Sequence, residues 1–165
     1  MSPTTREIRN IASGLRFPEG PIAMADGSVL LVEIERFVMA HDCGTVLNPL
    51  IVDGQIHGGV SIGIGNAYYE KLHFDETGQL LNASFADYLV PSATEMPRIQ
   101  VGHIETRSPL NELGTKGVGE AGTIPVPALF AQTIEDALAD RDIEILESPL
   151  SPNRLYELLK AEEAR

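Results

Sequence analysis

Residues 55–71 read QIHGGVSIGIGNAYYEK. Ile56, Val60, Ile64, Ala67 and Tyr68 recur at intervals of three and four, the spacing that gathers side chains on one face of a helix. The four glycines of the same stretch, Gly58, Gly59, Gly63 and Gly65, oppose that reading. Each costs up to about 1 kcal/mol relative to alanine inside a helix. The conflict disappears if the helix backbone must be approached closely, by a ligand or by a packed neighbour. The stretch therefore predicts a glycine-rich helix, with Tyr68 in the core and Tyr69 at its rim.

Reading outward on the N-terminal side, residues 41–54 (HDCGTVLNPLIVDG) carry turn chemistry and predict a loop. Asn48 precedes Pro49, which disfavours helical backbone at the asparagine. Phe37 to Ala40 and Ser28 to Ile34 are apolar and β-prone, and Asp26-Gly27 is a hairpin-turn signal. Residues 1–10 are polar.

On the C-terminal side, residues 72–90 predict two strands around a turn at Asp75–Gly78, and Ile99 to Thr106 alternates as a strand. Val126 to Ala139 is an amphipathic helix, with Pro125 or Pro127 in its first turn. Asp142 to Leu146 reads as a short strand. Ser151-Pro152 opens a last helix, with serine as N-cap and proline at the first helical position. The fold class expected is α+β: a small mixed sheet from residues 72–106, the glycine-rich helix and two C-terminal helices.

Between the strand at 99–106 and the helix at 126 lies GTKGVGEAG, residues 114–122. Glycines there let backbone N–H groups point at an anion, and the following helix start adds partial positive charge. Lys116 is a supplementary cation and Glu120 the one acid of the loop. A carboxylate held beside a cofactor can serve as a general base. The plainer reading is a connector whose glutamate favours the helix dipole, and from residue chemistry alone it leads. The spacing is not that of a Walker A loop. Gln55, at the helix start, carries an amide able to both donate and accept, as recognition of a heterocycle requires. A surface helix-start residue is the plainer alternative.

Composition narrows the classes. The chain of 165 residues has a net charge of −12, which disfavours general nucleic-acid binding. A single cysteine, Cys43, excludes an internal disulfide, a CxxC site and an iron–sulfur cluster held by this chain alone. It follows Asp42, which disfavours a thiolate, so an inert buried thiol is expected. None of the four histidines makes an HxxxH, HExxH or HxH spacing. No window is apolar enough for a membrane span and no signal-peptide core is evident, so the expectation is a cytoplasmic protein without membrane or nucleic-acid partners.

Four segments, DCGTVLNPLIVDGQIHGGVSIGIGNAYYE (42–70), ASFADYLVPSATEMPRI (83–99), GTKGVGEAGTIPVPALFAQTIEDAL (114–138) and IEILESPLSPNRLYELL (143–159), together resemble the molybdenum-cofactor-binding large subunit of the xanthine dehydrogenase, aldehyde oxidase and aerobic carbon monoxide dehydrogenase family. The resemblance covers residues 37–165. It implies a partial molybdopterin-binding domain that hydroxylates or oxidises an aldehyde, an N-heterocycle or carbon monoxide. It also implies that Gln55 hydrogen-bonds the pterin and that the backbone of Lys116, Gly117, Val118 and Gly119 lies against the cofactor. Glu120, in the GVGE match, becomes the catalytic glutamate, taking up a proton at the molybdenum centre. Electrons would leave through iron–sulfur and FAD subunits, with no cluster or flavin in this chain. A small-molecule substrate and the upstream half of the molybdenum subunit are the other implied partners, because that half of the family's site has no counterpart here.

Residues 1–36, with IASGLRFPEGPIAMADGSVLLVEI, resemble instead the opening of the SMP-30/gluconolactonase family, a β-propeller. That resemblance makes Glu19 of FPEGP a metal ligand, without its partner ligands. Two parts are therefore expected: 1–36, loosely packed, and 37–165, joined near Arg36-Phe37. The leading expectation is a molybdenum-hydroxylase fragment that is inactive without its missing half. The alternatives are a non-catalytic truncated or fused product and, well behind, a metal-dependent lactonase.

Overall fold

The computed structural model describes residues 22–23, 29–30 and 34–164. Two minimal strands, β1 (Ile22–Ala23) and β2 (Val29–Leu30), pair antiparallel. The Asp26-Gly27 turn and most of the loosely packed part expected over 1–36, Glu19 included, lie outside the described residues. A second pair joins β3 (Arg36–His41) and β4 (Arg98–His103) in parallel, from Arg36 beside Arg98 to His41 beside His103. Between them the chain forms helix α1 (Pro49–Ile64), continued by a π-helical turn (Gly65–Tyr69). Helices α2 (Val126–Ala137) and α3 (Pro152–Glu163) follow.

The architecture is mixed, with the glycine-rich helix and two C-terminal helices expected, but three details differ. First, α1 begins six residues before Gln55, at Pro49. Asn48 is its N-cap: extended, with its side-chain oxygen accepting from the Ile51 N–H at 3.2 Å, while Pro49 takes the first helical position. The Asn-Pro pair that breaks a helix at the asparagine thus starts one at the proline. Second, residues 72–90 form no strand. Asp75 and Gly78 do make a turn, with the Gly78 N–H on the Asp75 carbonyl, but only the single bridge Phe74–Leu80 forms around it. The strand at 98–103 pairs instead with distant β3. Third, residues 142–146 are irregular: the Ile145 N–H bonds the Glu135 carboxylate at 2.6 Å rather than a neighbouring strand.

The core follows the α1 periodicity. Val52, Ile56, Val60 and Ile64 are buried, as are Ala67 and Tyr68 in the π-helical turn. They pack with Val126, Phe130 and Ile134 of α2 and with Leu150 and Leu155 at the start of α3. The Tyr68 ring stands 5.4 Å from that of Phe130 and edge-on to Tyr69 at 5.0 Å. The Leu150 N–H closes the C-terminal side onto the Ala67 carbonyl at 2.7 Å. Among the described residues no helix is long and apolar enough to cross a membrane.

Candidate functional site

The glycines of α1 fall into two sets. Gly59 and Gly63 are buried and closely approached. A Cβ on Gly59 would lie 2.9 Å from the Gly122 Cα, and one on Gly63 would lie 2.6 Å from the Val126 side chain. Reciprocally, a Cβ on Gly122 would lie 2.6 Å from the Ile56 carbonyl oxygen. The Thr123 hydroxyl donates to the Gly59 carbonyl at 2.9 Å. Backbone thus rests on backbone, and the end of the 114–122 loop is seated in a groove of the helix. Gly54 and Gly58 have nothing within 4 Å of a Cβ position. On a helix, positions 54, 55 and 58 share one side. Gln55 therefore stands between two glycines on a bare and exposed flank.

The other end of the loop is fixed at the mouth of the β3–β4 pair. Gly44 and Gly114 both adopt left-handed backbone, with φ of 67° and 69°. Glycine is required at 44 twice over, because a Cβ there would also collide with the Gly114 carbonyl oxygen. The Thr45 N–H donates to that carbonyl at 3.0 Å, and the Lys116 N–H donates to the Cys43 carbonyl at 2.7 Å. Beside this crossing the Asp42 carboxylate accepts from the Lys116 ammonium at 2.9 Å, from the Gly44 N–H at 2.8 Å and from both the hydroxyl and the N–H of Thr106. The Thr106 hydroxyl, then Lys116 and the Gly44 N–H, hold the Asp42 carboxyl well below the usual carboxylate range.

Between the two anchors run Gly117, Val118, Gly119 and Glu120. Val118 is half-buried and packs its side chain on the core, while Gly117, Gly119 and Glu120 are exposed. Among the described residues, the N–H groups of 117–120 find no acceptor. The flanks of Gly117 and Gly119 are open to at least 4 Å. Four backbone donors in a row, left without a partner, need water or a ligand. Glu120 stands at the end of that row, two residues before Gly122, which touches the turn of α1 that follows Gln55. The loop's far end thus rests on the buried face of α1, at Ile56, Gly59 and Val60, while Gln55 lies on the exposed flank of the same helix.

The Lys116 ammonium is tied to Asp42 and Thr106, and its N–H to the Cys43 carbonyl. Asp42 and Thr106 were not among the expected site residues. The signal for Asp42 was present: an Asp two residues before a glycine is the sequence of an Asx turn, and the Gly44 N–H on Asp42 Oδ1 is that bond. Thr106 carried no such signal, because its partner is 64 residues away in sequence. His41 also reaches the loop, 3.4 Å from the Gly117 carbonyl. Cys43 is buried and free, in line with an inert thiol. Among the described residues no group of three His, Cys, Asp or Glu side chains could hold a metal ion.

The profile of the molybdopterin cofactor-binding domain matches residues 25–97. The nicotine 6-hydroxylase large subunit of Paenarthrobacter nicotinovorans is 39% identical over 129 residues, 78% of this chain and 16% of that subunit. A putative xanthine dehydrogenase molybdenum-binding subunit of Escherichia coli K12 is 35% identical over 133 residues, 80% of this chain and 17% of that one. The crystal structure of a Cu,Mo-CO dehydrogenase superposes with a TM-score of 0.75 at 33% identity, covering 79% of this chain and 16% of that one. The chain corresponds to one part of the molybdenum-binding large subunits of this family. It spans about one sixth of the length of the relatives it matches. An anionic cofactor can be held by backbone N–H groups presented without side chains in the way. The acceptor-free N–H groups of 117–120 and the open flanks of Gly54, Gly58, Gly117 and Gly119 suit that arrangement.

Proposed function

We propose that this chain supplies one wall of the molybdopterin site of a molybdenum hydroxylase. The observation that carries the reading is the row of N–H groups at 117–120 that find no acceptor among the described residues, ending on the exposed Glu120. When bound, the molybdenum cofactor supplies the redox chemistry that oxidises an aldehyde, an N-heterocycle or carbon monoxide.

This chain's own contribution is binding and proton transfer. The N–H groups of Gly117, Val118 and Gly119 donate to cofactor oxygens, and the Gln55 amide bonds the pterin. Glu120 accepts a proton at its carboxylate as the substrate is attacked. Glu120 is exposed here, so its role as a base requires a covering chain that excludes water from the site. That requirement makes the remaining part of a large subunit a partner, along with iron–sulfur and FAD subunits to take the electrons.

The test is to purify the tagged chain from its host and measure molybdenum per chain, then assay any co-purifying complex. Near-stoichiometric molybdenum supports the reading. In that complex Glu120→Gln should lower kcat by about 10²–10⁴-fold while molybdenum content stays unchanged. Retained turnover would remove the catalytic role of Glu120.

A second reading, a non-catalytic product, is favoured by one observation. Phe85, Leu110, Leu146 and Leu50 are more than four-fifths exposed, as on a core that has lost its cover. A folded chain that carries no molybdenum in its host would establish that reading.

A further inference from the structure

We infer that Asp42 is a positioning residue for the Glu120 loop, acting through Lys116 and Thr106. The inference rests on the reading of that loop as a cofactor wall. The loop is anchored at its two ends; between them, among the described residues, Val118 rests on the core, His41 Nε2 lies 3.4 Å from the Gly117 carbonyl and the Glu120 carbonyl accepts from the Thr123 N–H. Its far end is seated on α1 through Gly122 and Thr123. Its near end is held by the Lys116 N–H on Cys43 and by the Lys116 ammonium on Asp42 and Thr106. Within the span 117–121 one backbone bond is made among the described residues, from the Ala121 N–H to the Val118 carbonyl at 3.3 Å.

Asp42 is the hub of the near anchor. Its two carboxylate oxygens take four donors, drawn from the segment after β3 at Gly44, the segment after β4 at Thr106 and the loop at Lys116. The same geometry removes the Lys116 ammonium from the role of ligand cation. Its charge is matched by Asp42, and its reach is spent toward the strand end.

The two roles for Lys116 predict opposite effects of Asp42→Asn. If Lys116 pairs directly with an anionic cofactor, freeing it from Asp42 should strengthen loading. If Asp42 positions the loop, the variant should loosen it and weaken loading.

The first experiment measures backbone ¹⁵N order parameters in the full-length chain without cofactor. Gly117 to Glu120 should be near 0.85 in the parent and fall below about 0.6 in Asp42→Asn and in Lys116→Met, with α1 and α2 unchanged. The double variant should be no looser than either single one, and Lys116→Arg should restore much of the order. Unchanged order at 117–120, or loosening spread equally through α1 and α2, would overturn the inference. If Asp42→Asn does not fold, Lys116→Met and Thr106→Val carry the same test, since both side chains lie outside the core.

The second measures molybdenum content in the assembled complex. A several-fold fall in both Asp42→Asn and Lys116→Met supports positioning, and a rise in Asp42→Asn overturns it. Absence of molybdenum from the parent complex would sink the cofactor reading, while the order parameters would still decide the role of Asp42.

Discussion

Two neighbouring glycines of α1 do different work, and substitution separates them. Gly59→Ala drives a methyl group into the Gly122 backbone, which has no flexible side chain to move aside. Overpacking of this kind costs about 1–3 kcal/mol, read as a lower urea midpoint. Gly58→Ala meets nothing within 4 Å and replaces a poor helix former by a good one. It should raise the stability of the isolated chain by up to about 1 kcal/mol. If the Gln55 flank receives the cofactor, the same variant lowers molybdenum content in the complex. A gain in stability with full molybdenum would move the cofactor off that flank.

Asp42 gives a pH signature at the same scale. Its folded carboxyl is held well below the ordinary value of 3.8, so the unfolded chain takes up the proton first as pH falls. The stabilisation is therefore fully present above the unfolded value and is lost as pH drops toward the much lower folded one. The difference in urea midpoint between the parent and Asp42→Asn should be constant above about pH 5 and shrink below it. A difference that grows on acidification would contradict the hydrogen-bonding pattern around Asp42.

At the scale of elements, the sequence was informative wherever the cause was local. Ile56, Val60 and Ile64 announced the buried face of α1 by spacing alone, and Ser151-Pro152 announced the start of α3, where the serine side chain accepts from the Arg154 N–H. The start of α1 was misread because one dipeptide carries two opposite signals. Asn48 terminates helical backbone before Pro49, and it also caps the helix that Pro49 begins. Asn48→Ala should cost about 0.5–2 kcal/mol, seen in chemical denaturation, as loss of a true N-cap does. The sheet was misread for another reason. The turn at Asp75–Gly78 is real, but Phe74 and Leu81 beside it are exposed, so no buried face holds a hairpin together. Nothing local to residues 98–103 reveals that their partner is β3. The loop at 114–122 stood out by its glycines, yet the fate of Lys116 depended on Asp42 and Thr106, which only the fold brings near.

At the scale of the molecule, many large apolar residues are exposed. Besides the four already named, Leu89, Ile124 and Leu81 are each more than three-fifths exposed. The isolated chain should bind a hydrophobic dye strongly and self-associate as its concentration rises. Co-expression with the remainder of a large subunit should suppress both. Dye binding that persists in a complex containing that remainder would show that this surface faces elsewhere.

The parallel pairing of β3 with β4 also sets a timetable. Residue 36 must wait for residue 98 before its ladder can form, and the Gly44–Gly114 crossing must wait longer still. Closing a loop of that length carries an entropy cost of about 4 kcal/mol before any reward arrives. Such non-local topology folds slowly compared with a helical bundle. During synthesis, β3 stands with an unpaired edge until the residues of β4, from Arg98 onward, have been made. The loop that carries Glu120 can be set only after that distant pairing has closed.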